Sequence, residues 1–168
     1  MTVRDEKGFA MVTEQEKVIA TGSEGEGAEI LLVEDNPSYV ELTLRALREI
    51  AKNSVRVDIA GDGERALEML LAPNAKRRPR LVILDIKLPK LNGLEVLRRL
   101  RGSEETRFLP VVMLTSSRVP NDVAESYRLG ANSFVVRPMN FPTYLRVLGD
   151  IINYWLSINE QPPGGAGK

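Results

Sequence analysis

Six polar residues in this 168-residue chain have types and positions suited to phosphoryl chemistry. Glu34 and Asp35 are adjacent carboxylates and Asp85 is a third. Thr115 and Ser116 supply hydroxyls, and Arg137 supplies a permanent positive charge. Each follows a short apolar run: Ile30-Leu-Leu-Val33, Leu81-Val-Ile-Leu84, Val111-Val-Met-Leu114 and Phe134-Val-Val136. Three carboxylates held about 5 Å apart repel one another by roughly 3 kcal/mol per pair at an effective dielectric near 20, so a shared pocket calls for a cation. Oxygen-only ligation by a few carboxylates, with positions left open, suits Mg²⁺ better than Ca²⁺. A carboxylate can also act as the nucleophile and form an acyl phosphate. Phosphoryl transfer depends chiefly on charge neutralisation and in-line positioning.

Taken singly, these residues have ordinary explanations. A Glu-Asp pair after a strand is commonly a loop feature or a helix cap, Asp85 could serve a turn, and Thr115-Ser116 could cap the next segment. Their joint placement after four separate apolar runs is what points to chemistry.

The elements that must position them alternate. Strands are expected at Ile30–Val33, Val55–Ala60, Leu81–Leu84, Val111–Leu114 and Phe134–Val136. Helices are expected from Pro37 to about Lys52, Asp62 to Leu71, Leu94 to Arg101, Asn121 to Leu129, and Phe141 to about Leu156. Asn36 is a candidate N-cap with Pro37 at the first helical position. Apolar runs without alternation are the signature of strands buried on both faces, which implies a parallel sheet covered by helices on each side. Ligands of such sheets bind beyond the carboxyl ends of the strands, where the strand order reverses. If the first, third, fourth and fifth strands are neighbours, the six residues converge there.

Composition narrows the alternatives. Lys+Arg and Asp+Glu are equal at 23 each, which gives no electrostatic case for a nucleic-acid or membrane partner. The absence of cysteine excludes thiolate chemistry and disulfides, and the absence of histidine removes the commonest general base. No run approaches 18 apolar residues and the first residues lack an apolar signal core, so a cytoplasmic location is expected. Residues 1–28 read as a flexible arm in which Val18-Ile19-Ala20 could dock. Residues 29–157 read as one domain and 158–168 as a tail, loose from Gln161 onward. The basic cluster Lys76-Arg-Arg-Pro-Arg80 reads as a solvated loop.

Between about residues 28 and 157 the chain resembles the response-regulator receiver family. The matching segments are Ile30-Leu-Leu-Val-Glu-Asp-Asn-Pro37, Val82-Ile-Leu-Asp-Ile-Lys-Leu-Pro-Lys-Leu-Asn-Gly93, Val111-Val-Met-Leu-Thr-Ser-Ser117 and Gly130-Ala-Asn-Ser-Phe-Val-Val-Arg-Pro138. Leu88-Pro-Lys-Leu-Asn-Gly93 and Asn153-Tyr-Trp-Leu-Ser-Ile-Asn-Glu-Gln-Pro-Pro163 are similar to the single-domain subgroup that partners phytochrome-type sensor histidine kinases. The resemblance implies a doubly wound α/β fold with flavodoxin-like strand order 2-1-3-4-5. It implies that Asp85 takes a phosphoryl group from a kinase phosphohistidine, so the histidine belongs to the partner. It further implies that Mg²⁺ is held by Asp35, Asp85, Glu34 (directly or through water) and the backbone carbonyl of Lys87. Thr115 would hydrogen-bond the phosphoryl group, Phe134 occupies the aromatic switch position, and a cis bond is expected before Pro138. Arg137 stands where the family has lysine; its planar fork can still meet a phosphoryl oxygen, but not as a point charge.

Other readings differ in kind. A receiver fold could serve as a phosphorylation-independent adaptor. A metal-dependent phosphatase would need an acid-base carboxylate two residues beyond Asp85, where this chain has Lys87. Too few residues follow the last helix for a DNA-binding module. The closing helix carries apolar residues over more than the stripe of slightly over 100° that docking on a sheet needs, so self-association into a homodimer through it is expected.

Overall fold

In the computed structural model, residues 28–51, 55–73 and 78–162 are described. Five strands, β1 (Ile30–Val33), β2 (Val57–Ala60), β3 (Leu81–Leu84), β4 (Val111–Thr115) and β5 (Ser133–Val136), alternate with five helices. These are α1 (Pro37–Ala51), α2 (Gly63–Leu71), α3 (Gly93–Gly102), α4 (Pro120–Arg128) and α5 (Phe141–Asn153). The strands form one parallel sheet in the order β2-β1-β3-β4-β5, as expected.

Every residue of β1, β3 and β4 is buried, because helices cover both faces of the sheet. Side chains alternate between the two sides. Leu31, Val33, Val82, Leu84, Val111 and Met113 pack with Leu67 and Leu70 of α2 and Val96, Leu97 and Leu100 of α3. Ile30, Leu32, Leu81, Ile83, Val112 and Leu114 pack with Val40, Leu44 and Leu47 of α1 and Tyr144, Leu148, Ile151 and Ile152 of α5.

Side chains stop the helices at their starts. Asp62 accepts the Arg65 N–H at 2.8 Å, Asn92 the Glu95 N–H at 2.9 Å, and Asn140 the Thr143 N–H at 2.9 Å. Asn36 accepts the Ser38 N–H at 3.0 Å ahead of Pro37.

Several expectations are corrected. β2 begins at Val57, not Val55, since its pairing starts opposite Ile30. α5 gives way at Tyr154 to a π-helical turn, Tyr154–Ile158, closed by a 2.7 Å bond from Asn159 N–H to the Tyr154 carbonyl. The apolar excess of α5 is largely taken up by α1, which packs against it; Tyr154 and Ile158 remain exposed. Arg78 and Arg80 are partly buried rather than solvated. Arg78 donates to the Leu70 carbonyl at 3.0 Å, satisfying a carbonyl in the last turn of α2. Gln161, expected in a loose tail, donates to the Arg80 carbonyl at 2.8 Å. Among the described residues no peptide bond is cis, so the one before Pro138 is trans, the form X–Pro bonds prefer by about 0.5–1 kcal/mol. The Val18-Ile19-Ala20 segment lies outside the described residues.

Candidate functional site

Parallel strands put all their carboxyl ends on one edge, and the order reverses between β1 and β3. Glu34 and Asp35 leave the end of β1 and Asp85 leaves the end of β3, so the three meet at that switch point. One carboxylate oxygen from each lies within 4.8 Å of the other two. Glu34 is 2% exposed and Asp85 8%, whereas Asp35 faces solvent. Of the three, Asp35 is therefore the one open to solvent.

Backbone groups hold the acids. The Asn36 N–H donates to Glu34 Oε1 at 3.0 Å, and the Ile86 N–H donates to Asp85 Oδ1 at 2.7 Å. The loop after Asp85 is compact. The Ile86 carbonyl accepts both the Leu88 N–H at 3.1 Å and the Gly93 N–H at 2.9 Å, and Lys90 adopts a φ of 61°. Gly93 is required at its position, because a Cβ there would stand 2.0 Å from the Asp85 carbonyl oxygen. Among the described residues no group donates to the Lys87 carbonyl, which leaves that oxygen free to serve as a ligand. Lys90 reaches back to Asp62 at 2.7 Å and ties this loop to the start of α2.

Thr115 at the end of β4 is fully buried, and its hydroxyl accepts the Ser117 N–H at 3.3 Å. Ser116 points to solvent. Ser117 donates to Asp122 of α4, which connects the Thr115 loop to that helix. Phe134 is partly buried against the α2–α3 side of the core, and its N–H donates to the Tyr127 hydroxyl at 3.2 Å.

Arg137 is the unexpected member. Its guanidinium is buried and pairs through Nη2 with Glu34 Oε2. The same nitrogen donates to the Leu114 carbonyl at 3.1 Å and stays 3.9 Å from Asp85 Oδ2, too far for a hydrogen bond. The face of the guanidinium lies over the Tyr39 ring, with Cζ 4.0 Å from the centroid, and Nε is buried without a partner. Burial pushes the Glu34 carboxyl up from the ordinary carboxylate range, while the Arg137 charge pulls it back down. The donor set of hard oxygens, crowded and only partly offset by Arg137, fits a divalent cation.

Sequence reasoning did not find Tyr39. The available signal was an aromatic residue in the first turn of the helix that follows the acidic pair, where its side chain rises at the same sheet edge.

A doubly wound sheet with order β2-β1-β3-β4-β5 and acids gathered at the β1/β3 switch point is the flavodoxin-like receiver architecture. The response regulator receiver domain matches residues 30–148, and the chain belongs to that family. It is 38% identical over 135 residues to the probable methanogenesis regulatory protein FilR2 of Methanothrix harundinacea, covering 79% of this chain and 86% of that one. It is 32% identical over 139 residues to the response regulator Rcp1 of Synechocystis, covering 79% and 92%. The structure is similar to that of the phosphorylated cyanobacterial phytochrome response regulator RcpA, with a TM-score of 0.75 and 30% identity over 82% of this chain and 99% of that one. It is also similar to the Mn²⁺-bound form of Rcp1, with a TM-score of 0.70 and 31% identity over 81% and 99%.

Proposed function

We propose that the chain is a single-domain response regulator in which Asp85 accepts a phosphoryl group from a phytochrome-type sensor histidine kinase. Asp85 attacks the phosphorus, the P–N bond to the kinase histidine breaks, and the imidazole leaves. Glu34, Asp35, Asp85 and the Lys87 carbonyl would hold Mg²⁺, which would offset the charge gathered in transfer. Thr115 donates to the phosphoryl oxygen, and Arg137 supplies the nearby positive charge. The chain is a signalling protein and not an enzyme with a separate substrate, although it promotes its own phosphorylation and dephosphorylation. Its location in this reading is cytoplasmic. Output is through protein–protein contact, including a homodimer, with no nucleic-acid or membrane partner; no helix among the described residues is long and apolar enough to cross a membrane.

The observation that carries this reading is the carboxylate trio, with ligand atoms all within 4.8 Å, Arg137 paired to Glu34, and buried Thr115 at the end of β4, the neighbour of β3. The phosphorylated state of RcpA and the Mn²⁺ on Rcp1 support it by similarity. Asp85→Asn is nearly isosteric but not nucleophilic. It is expected to keep the fold and to lose labelling by acetyl phosphate in the presence of Mg²⁺. Labelling of the variant at the wild-type level would overturn the assignment.

A second reading, a phosphorylation-independent adaptor, is favoured by one observation: Arg137 is engaged with Glu34 and not with Asp85. Beryllofluoride with Mg²⁺ separates the two. A change in tryptophan fluorescence or oligomeric state supports the phosphoacceptor, and indifference to both supports the adaptor.

A further inference from the structure

We infer that Tyr39 is a positioning residue whose ring pins the Arg137 guanidinium onto Glu34, and that this stack sets how strongly the acidic site takes up a divalent cation. The second half rests on reading Glu34, Asp35 and Asp85 as a cation site.

The restraint on Arg137 is uneven. Nη2 carries two hydrogens, which go to Glu34 and to the Leu114 carbonyl. Nε, buried and unpartnered, has no hydrogen bond to secure its side of the group. What covers the guanidinium face is the Tyr39 ring at 4.0 Å. The backbone of Tyr39 is fixed in α1, where its carbonyl accepts the Thr43 hydroxyl at 2.7 Å. A desolvated guanidinium over a tyrosine face lies at the strong end of cation–π pairs. An arginine guanidinium can stack flat on the ring, whereas a lysine ammonium is a compact point charge that meets a ring less often and without stacking.

The consequence for the site follows from competition. Arg137 and a divalent cation both seek the Glu34 carboxylate. Any contact that favours the Arg137–Glu34 pair stabilises the cation-free arrangement and weakens cation binding by the same factor. Tyr39 makes such a contact without touching the acids' own hydrogen bonds to Asn36 and Ile86.

The test is calorimetric titration of Mg²⁺ into the full chain, with thermal melts of the metal-free protein alongside. Tyr39→Leu is expected to tighten Mg²⁺ binding by about threefold to tenfold. Tyr39→Phe keeps the ring and is expected to match the wild type. In an Arg137→Lys background, Tyr39→Leu is expected to leave the affinity where Arg137→Lys alone puts it. Losses in melting temperature for Tyr39→Leu and Arg137→Lys are expected to be non-additive. The inference is overturned if Tyr39→Leu acts equally in both backgrounds, leaves Mg²⁺ affinity unchanged, or is matched by Tyr39→Phe. A wild-type chain that takes up no Mg²⁺ sinks the cation claim together with the reading it rests on. In that case non-additive melts still support the pinning of Arg137, and additive melts overturn it.

Discussion

The Thr43 hydroxyl and the Tyr144 phenol meet 2.6 Å apart in the buried seam between α1 and α5. Thr43 also donates to the Tyr39 carbonyl, and a hydroxyl has one hydrogen, so Tyr144 is the donor of the pair. Burial pushes the Tyr144 phenol up from its ordinary value, which keeps that hydrogen in place. Tyr144→Phe leaves the Thr43 hydrogen satisfied and is expected to cost about 1 kcal/mol. Thr43→Val strands a buried phenol O–H and is expected to cost about 2 kcal/mol. Urea denaturation ranks the two, and the reverse order would assign the donor to Thr43.

Gly93→Ala is expected to destabilise the chain by about 2–3 kcal/mol, because the new methyl meets fixed backbone at Asp85 and not a side chain that can swing away. Gly102, at the end of α3, has nothing within 4 Å of where a Cβ would stand. Gly102→Ala is therefore the control, expected to be neutral or slightly stabilising. Melts in which the two variants behave alike would refute the crowding.

The Lys90 ammonium holds the Asp62 carboxyl below the usual carboxylate range, with the Arg65 N–H assisting. A carboxyl lowered in the folded state adds stability above its unfolded value, and that stability is lost as pH falls through the lowered value. Asp62→Asn keeps a good N-cap and removes only the charge. Wild type is expected to melt slightly higher than the variant near pH 7, with the gap closing in acid and shrinking with salt, because the pair is at the surface. A gap that is constant with pH would assign the difference to something other than this ion pair.

Tyr154 is 48% exposed and Ile158 61%, beside each other on the π-helical turn. If the homodimer forms through this end of the closing helix, replacing both with polar residues is expected to shift the mass in light scattering from two chains to one. A wild-type protein that runs as a monomer at tens of micromolar, with and without beryllofluoride, would dismiss the dimer.

The strands were legible because burial on both faces forces unbroken apolar runs such as Leu81–Leu84. The acids were legible because a parallel sheet sends every strand end to one edge, so residues after β1 and β3 had to meet. Element ends were harder. The start of β2 is set by where β1 begins, and nothing in Tyr154-Trp-Leu-Ser-Ile158 marks a change from α to π winding. The partner of Arg137 was out of reach for a different reason. A phosphoryl oxygen and the Glu34 carboxylate are both anionic acceptors, and only position decides which one a guanidinium meets. Which apolar residues of the closing helix would stay exposed was not legible, because a pattern on one helix does not reveal how much of it a second helix, α1, will cover.

Arg80 binds the segments at both flanks of the fold: its N–H donates to the Glu29 carbonyl at 2.8 Å, and its own carbonyl accepts from the Gln161 side chain. The entry to β1 and the exit from the last turn are thus neighbours, at the sheet edge opposite Asp85. A dye or a surface tether attached at Glu29 or Gln161 itself would sit at the back of the molecule and leave its acidic face turned to solution.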